Sequence, residues 1–382
     1  MSRGERAVAL PLTGLLMVEL GSSVAAPFGA QIFADLGATV LKVENKQGGD
    51  DARAWGPPFW HGAGAAFQTL NRNKLSAAID LKAPAERDAL VRFVIERADV
   101  VLQNMRPGLV EKLGLDGQTL RAAKPSLIYC NLGAFGSKGP MRHHAGYDPL
   151  IQAFAGLMSV TGEEGRPPVR VVPSIIDMTT GMWSVIGILA ALRQRDATGE
   201  GCTIDTSLFE TGLSWMNFSV ANYLASGSVP RRTGTEAAML VPYKAYQASD
   251  GYMVIAAGND SLFRRLAEVL GHPEWVTDER FKTNPDRVKN RAAINQFIDD
   301  VLATNTRAHW TRALEQAGVP CGPLQSTDEV VTHPQTEAVE MLQSTPDGKM
   351  RFVGVPIRFD GERPGIRRGP PALGEHTDEI LR

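Results

Sequence analysis

Short apolar segments alternate with amphipathic ones through the first 133 residues, and this alternation limits the fold more than any other feature. Two segments with helical spacing lie at residues 25–37, where Gly37 closes the helix, and 83–98. Five segments predict strands, at residues 14–20 (GLLMVEL), 38–44 (ATVLKVE), 74–81 (KLSAAIDL), 99–104 (DVVLQN) and 126–133 (SLIYCNLG). A strand–helix–strand order predicts the α/β class, with a doubly wound, Rossmann-like parallel sheet.

The pattern changes near residue 228, which predicts a second domain. Residues 243–258 read as a hairpin that turns at Ser249-Asp250-Gly251, and three helical segments follow. The Pro/Gly-rich end of the chain is stable only if it packs on something else. We therefore expect five parts: a large Rossmann-like domain at 1–200, a linker at 201–227, a smaller α+β domain at 228–325, a linker at 326–345, and a tail at 346–382 that returns to the large domain.

Composition argues against several classes of protein. Forty basic and 42 acidic residues give a formal charge of −2, so we expect no nucleic-acid partner and no membrane partner. The uncharged run at 182–192 is too short to span a bilayer, and residues 1–10 make a poor signal peptide. Three cysteines lie far apart and seven histidines form no ligand motif, so we expect a cytoplasmic protein without disulfides or a metal.

One acidic residue directly precedes a long apolar helix. Residues 173–195 (PSIIDMTTGMWSVIGILAALRQR) contain no charge from 182 to 192, and a helix that is apolar on every side is expected to be buried. Asp177 therefore enters an apolar region, where an unpartnered charge is costly. Its residue type favours a helix N-cap, and capping is compatible with a nucleophilic carboxylate. Asp148, with Tyr147 beside it, is a second acid upstream. Two acids entering the same region suggest a site, so we expect Tyr147 and Asp148 to support an active site at Asp177.

The turn after the first strand admits two further interpretations. Glu44 follows it at about the distance expected of a dinucleotide-binding unit, but the turn GSSVAAP lacks the G-x-G-x-x-G pattern. Residues 21–25 nearly match the G-x-S-x-G nucleophile elbow of hydrolases, with His376 as a conceivable base, but the closing glycine is missing.

Seven segments in order then indicate a family. They are LGATVLKVE, NRNKLSAAIDLK, ADVVLQNMRPG, GYDPLIQA, DMTTGMWSVIGILAAL, GVPCGP and LGEHTDEIL. With these the chain resembles CoA-transferase family III, which includes formyl-CoA:oxalate and crotonobetainyl-CoA:carnitine CoA-transferases and the α-methylacyl-CoA racemases. The resemblance implies an interlocked homodimer, and a CoA-transferase that moves CoA from an acyl-CoA to a carboxylic acid. Asp177 would form a mixed anhydride and then an aspartyl-CoA thioester, with coenzyme A as substrate and no metal or nicotinamide.

The resemblance also assigns the residues that would contact CoA, in the large domain. Three of these positions carry basic side chains that would face the phosphates. Asn45 replaces an arginine of many members, Met105 replaces an aromatic residue, and no glycine-rich lid is evident around Gly234. The assigned residues are Val24, Ala25, Asn45, Ile79, Lys82, Asn104, Met105, Arg106 and Lys112.

An α-methylacyl-CoA racemase is the alternative within the family. Racemases carry a histidine where this chain has Tyr147, and a phenol, with an ordinary pKa of about 10, is poorly suited to proton abstraction near neutrality. An NAD-dependent Rossmann dehydrogenase is the alternative outside the family.

Overall fold

The computed structural model describes residues 10–381, with side chains through Glu379; the expectation about a signal peptide therefore lies largely outside the described residues. The described chain forms two compact units. The larger comprises residues 10–157, 170–228 and 334–381, and the smaller comprises residues 158–169 and 229–333.

Strands and helices alternate in the first part of the larger unit as the sequence predicts. The strands of both units are β1 Leu16–Leu20, β2 Thr39–Glu44, β3 Phe59–Trp60, β4 Ala63–Gly64, β5 Leu75–Ala78, β6 Val100–Gln103, β7 Ile128–Gly133, β8 Thr203–Ser207, β9 Tyr243–Ala248, β10 Gly251–Ala256, β11 Cys321–Pro323, β12 Leu342–Ser344 and β13 Arg351–Val353, of which β9, β10 and β11 belong to the smaller unit.

The helices vary widely in length. They are α1 Ala25–Asp35, α2 Ala65–Leu70, α3 Pro84–Arg97, α4 Leu109–Leu113, α5 Gly117–Ala123, α6 Asp148–Phe154, α7 Leu157–Val160, α8 Ile175–Thr198, α9 Leu208–Trp215, α10 Asn217–Ser226, α11 Asp260–Val269, α12 Asn284–Lys289, α13 Arg291–Leu302, α14 Arg307–Gln316, α15 Thr327–Thr332, α16 Pro334–Ala338 and α17 Asp378–Leu381, with 3-10 turns at Asp51–Ala54 and Pro273–Val276.

A six-stranded parallel sheet, in the order β5-β2-β1-β6-β7-β8, forms the centre of the larger unit. The prediction of a mixed α/β fold with a parallel sheet is confirmed. From β1 the chain builds outward through β2 to one edge, and then from β6 through β8 to the other. The carboxyl ends of β1 and β6 therefore flank a topological switch point, which is where open α/β sheets bind ligands.

The segment 201–227 differs from the expected linker. Residues 203–207 form the sixth strand of the parallel sheet, and α9 and α10 follow. The segment GEGCTIDTSLFE has the pattern of a turn and a short strand, but the pairing of this strand with β7 depends on a contact distant in sequence. The expected second linker at 326–345 likewise contains α15, α16 and β12.

The end of the chain packs along the edge strand β5. The backbone N–H of His376 donates to the Ser76 carbonyl at 2.8 Å, and Ala78 N–H donates to the Thr377 hydroxyl at 2.9 Å. These bonds occupy backbone groups that an exposed sheet edge would otherwise present to other chains.

The smaller unit contains the predicted hairpin. Strands β9 and β10 pair on either side of residues 249 and 250, and β11 extends the antiparallel sheet. Helices α11, α13 and α14 pack on one face, where Phe263, Ile298 and Leu314 are buried.

Helix α8 is only partly buried, so the expectation of a helix buried on every side is wrong for a single chain. Residues on one face, such as Ile176, Val185 and Ile188, are buried. The opposite face exposes Trp183 at 45% and Ile186 at 52%. Among the described residues, α8 alone is long and apolar enough to cross a membrane, with a mean hydropathy of 1.7. The apolar part of α8 is therefore longer than the uncharged run at 182–192. Helices in protein cores can also be this long and apolar, and 44% of the apolar segment of α8 is buried here.

Candidate active site

The loops at the carboxyl edge of the sheet surround a cleft of about 450 Å³. The β1–α1 turn supplies Gly21 and Ser22, and the loop after β2 supplies residues 45–47 and 49–51. Four of the nine residues predicted to contact CoA line this cleft: Asn45, Ile79, Lys82 and Met105. A larger cavity of about 620 Å³ lies between residues 48–68 and 345–373 and contains none of the predicted site residues.

The other five predicted residues do not line the cleft but lie in the loops and helices around it. Val24 is the N-cap residue of α1, and Ala25 is buried in its first turn. The Asn104 side chain accepts from Ser22 N–H at 3.0 Å and donates to the Ser22 carbonyl at 2.9 Å. Asn104 therefore ties the β1–α1 turn to the end of β6.

Three basic side chains near the cleft are not paired with any acid whose side chain the structure describes. Lys82, Arg106 and Lys112 are exposed, and none of them forms an ion pair among the side chains of residues 10–379. Cations that are free of carboxylates can bind phosphate groups by charge-assisted hydrogen bonds.

Asp177 lies in the first turn of α8 but does not cap it. Ser174 is the N-cap residue, and the carboxylate of Asp148 accepts from the backbone N–H groups of Ile176 at 2.8 Å and Asp177 at 3.2 Å. The expectation that Asp177 is the N-cap is wrong, because an acid from α6 satisfies these donors. The sequence placed Asp148 near this site but did not indicate that it caps another helix.

A buried side chain holds Asp148 in place. Asp148 is 1% exposed, and Gln152, one turn along α6, donates to its Oδ1 at 2.6 Å. Gln152 also pairs with the backbone of Val171, accepting its N–H at 2.9 Å and donating to its carbonyl at 3.0 Å. Tyr147, which precedes Asp148, is 64% exposed, so its phenol is accessible at the surface of this unit.

Burial, with a smaller contribution from the nearby Asp148, raises the pKa of Asp177 from 3.8 to about 7. Asp177 is thus a carboxylate that is partly protonated near neutral pH and more basic than an exposed aspartate.

Two glycines fix the distance between Asp177 and the β1–α1 turn. Helix α8 packs against α1 where Gly181 meets Gly29. A Cβ on Gly181 would lie 2.6 Å from the Ala25 carbonyl oxygen and 3.0 Å from the Gly29 nitrogen. Since both neighbours are backbone atoms, only glycine permits this approach, one turn beyond Asp177.

A network of buried charges beneath the β1–α1 turn escaped the sequence analysis. Lys42 and Lys74 contact different oxygens of Glu19 at 2.8 and 2.7 Å, and Lys42 also lies 2.9 Å from Asp50. The register of the two predicted strands could have indicated this network, because Glu19 and Lys42 are partners across the parallel strands β1 and β2.

The two lysines of this network respond differently to burial. Burial opposes the charge of Lys42, but Glu19, Asp50 and Glu44 together hold its pKa above the ordinary value. For Lys74 burial prevails over the attraction of Glu19 and lowers the pKa to about 8. The charge balance under the turn therefore depends on the three acids Glu19, Asp50 and Glu44 together.

The comparisons with known proteins agree over nearly the whole chain. The sequence model of CoA-transferase family III matches residues 12–377. A succinate–glutarate CoA-transferase from Agrobacterium fabrum is 39% identical over 381 residues, covering 97% of this chain and 95% of that protein. An acetyl-CoA:oxalate CoA-transferase from Acetobacter aceti is 37% identical over 367 residues, covering 96% and 93%. A solved CAIB/BAIF family protein from Brucella suis has a TM-score of 0.89 at 39% identity and covers 98% of this chain and 100% of its own.

The raised pKa of Asp177 predicts a pH-dependent contribution to stability. Because the folded state binds this proton more tightly than the unfolded state, the contribution is complete below about pH 4 and is lost as pH rises through about 7. Urea unfolding between about pH 4 and 7 measures the free energy of unfolding of the wild type and of Asp177→Asn. The wild-type value minus the variant value should fall as the pH rises. The control is Asp196→Asn, because Asp196 is an exposed acid on the same helix. If the difference between the wild type and Asp177→Asn stays constant with pH, the pKa of Asp177 is not raised.

Proposed function

The chain belongs to CoA-transferase family III and so transfers CoA between acyl-CoA thioesters and carboxylic acids, and we propose that Asp177 carries the transfer as its covalent nucleophile. The observation that supports this most strongly is a largely buried carboxylate with a pKa of about 7, packed one helical turn from the Gly181–Ala25 contact. At neutral pH a large fraction of Asp177 is ionised, and its raised basicity favours nucleophilic attack.

In the first step of the proposed reaction, an Asp177 oxygen attacks the thioester carbonyl. The C–S bond breaks, and CoA leaves as the thiolate. The resulting mixed anhydride is attacked by the thiolate at the aspartyl carbon, which releases the donor acid and forms an aspartyl-CoA thioester. An acceptor carboxylate attacks this thioester and expels the thiolate again. Attack of the thiolate on the acceptor carbonyl then forms the new acyl-CoA and restores the Asp177 carboxylate, without net proton transfer.

The rate advantage lies in keeping the thiolate next to the anhydride, because an intramolecular reaction avoids the entropy cost of a second encounter. We propose that the cleft at the carboxyl edge of the sheet holds the CoA portion. Lys82, Arg106 and Lys112 would bind phosphates, while Asn45, Ile79 and Met105 would contact the nucleotide and its arm. Val24 and Ala25, at the N-terminus of α1, would offer backbone contacts.

We propose short dicarboxylic acids as the substrate class, with succinyl-CoA as a donor. The support comes from the relatives, whose names specify succinate, glutarate and oxalate. A racemase reaction is disfavoured by Tyr147, which stands where racemases carry a proton-transferring histidine.

We also propose that the exposed face of α8 is covered by a second copy of the chain, as in an interlocked homodimer. Met182, Trp183, Ile186 and Leu189 leave an apolar surface that monomeric proteins rarely expose. Ile186→Glu should shift the sedimentation coefficient from that of a dimer toward that of a monomer, because it places a charge in the interface. Gln194→Glu, at an exposed position on the same helix, is the control. A wild-type protein that sediments as a monomer at all concentrations would exclude the dimer.

Asp177→Asn should abolish CoA transfer, with a loss of at least about a thousandfold, because asparagine keeps the shape but lacks the nucleophilic oxygen. Incubation of the wild type with succinyl-CoA and hydroxylamine should convert Asp177 to a hydroxamate, detectable by peptide mass spectrometry. Asp196→Asn should behave as the wild type. Near-normal turnover by Asp177→Asn would end the proposed covalent mechanism.

Replacing Lys82, Arg106 or Lys112 with alanine should weaken CoA binding by about five- to tenfold each, since each removes a charge-assisted contact. Raising the salt concentration should weaken binding by the wild type. Isothermal titration calorimetry with CoA measures both effects. Arg97→Ala is the matched control. Arg97 is an exposed cation at the end of α3, just before the amino end of β6, whereas the cleft lies at the carboxyl ends of the strands. Normal binding by all three variants would overturn the proposed phosphate contacts.

A further inference from the structure

The buried ammonium group of Lys42 joins the two walls of the cleft. It donates to the Gly21 carbonyl at 2.8 Å, in the β1–α1 turn. On its other side it lies 2.9 Å from Oδ2 of Asp50, in the loop after β2. Since Gly21 and Asp50 both line the cleft, one fully buried side chain contacts both walls.

Asp50 makes a second connection between the same walls. Its Oδ1 accepts from Ser23 N–H at 3.0 Å, in the β1–α1 turn, and from Ala52 N–H at 3.0 Å, in the 3-10 turn that Asp50 caps. Asp50 is only 4% exposed. Burial opposes its ionisation, but the charge of Lys42 and the N–H groups of Ser23 and Ala52 hold its pKa below the ordinary value, so it is a carboxylate at neutral pH.

The backbone of the turn shows why such a connection is needed. Ser23 has a φ of +70°, a left-handed conformation that residues other than glycine rarely adopt. Strained conformations persist where the surrounding structure determines them, and they concentrate at functional sites. Here Asp50 binds the N–H of Ser23, and Asn104 binds that of the preceding residue.

We propose that Asp50, acting with Lys42, is a positioning residue that holds the β1–α1 turn and the 45–51 loop at the separation acyl-CoA requires. The proposal rests on the proposed function, because it assigns the cleft to CoA. A preformed cleft lowers the ordering cost of binding, so loss of Asp50 weakens binding without touching the reacting atoms. Asp177 lies on α8, and the contact of Gly181 with α1, rather than Asp50, fixes the distance between these two helices, so we expect the reacting carboxylate to keep its place.

The test uses two variants of Asp50 and one matched control. Asp50→Ala removes both connections, whereas Asp50→Asn keeps an oxygen for the Ser23 and Ala52 N–H groups and loses the charge facing Lys42. The control is Asp35→Asn: Asp35 is 3% exposed and lies 2.7 Å from Arg72, so this change also breaks a buried ion pair, but Asp35 does not line the cleft.

Asp50→Ala should raise the CoA dissociation constant and the KM for acyl-CoA about tenfold, equivalent to about 1.4 kcal/mol. The kcat and the KM for the acceptor acid should stay within about twofold of wild type, because neither includes the free energy of ordering the cleft when CoA binds. Asp50→Asn should show a smaller increase in the same two constants. Asp35→Asn should lower the melting temperature but leave both constants unchanged.

Unchanged CoA binding by folded Asp50→Ala and Asp50→Asn would overturn the proposal. If Asp50→Ala does not fold, wild-type binding by Asp50→Asn is enough to overturn it. An equal loss of CoA affinity in Asp35→Asn would show general destabilisation and would also overturn it. If the wild type binds CoA but Asp177→Asn retains transfer, the covalent mechanism fails while the role of Asp50 in binding stands; if the wild type does not bind CoA, both fail.

Discussion

The carboxylate of Glu19, shared between two buried lysines, is the interaction on which the architecture of the site depends. Lys42 extends from β2 and Lys74 from the residue before β5, so one acid on β1 joins three neighbouring segments of the sheet. Lys74 also donates to the Pro27 carbonyl at 2.8 Å and thereby holds the first turn of α1. Removing one partner would leave a buried charge uncompensated, which costs about 3–5 kcal/mol.

The second constraint concerns the carboxylate of Asp177, which must be buried enough to be basic and yet ionised enough to react. A carboxylate that is fully solvated is a weak nucleophile, and one that is fully buried is protonated and inert at neutral pH. Asp177 lies between these limits because burial and Asp148 raise its pKa to about 7. Asp148 contributes in two ways: it accepts the N–H groups of Ile176 and Asp177, and it places negative charge near the Asp177 carboxylate.

The sequence predicted local structure better than contacts between distant residues. The β1–α1–β2 unit, the β9–β10 hairpin and the helical location of Asp177 follow from apolar spacing and turn residues, which are local signals. Capping of α8 by Asp148, pairing of β8 with β7, and the joint contacts of Lys42 and Asp50 depend on distant residues meeting in space. The exposed face of α8 could not be predicted either, because its apolar composition is the same whether its own chain or another covers it.

The measurement that tests the covalent role of Asp177 most directly follows oxygen atoms through a single turnover. With a stoichiometric acyl-CoA and an acceptor acid labelled with 18O in both carboxyl oxygens, the proposed sequence releases an unlabelled donor acid and leaves one 18O on the carboxylate of Asp177. Peptide mass spectrometry of the enzyme and of the released acid reads both. A direct attack of the acceptor on the acyl-CoA would instead place 18O in the donor acid in the first turnover and leave Asp177 unlabelled, which would contradict the account.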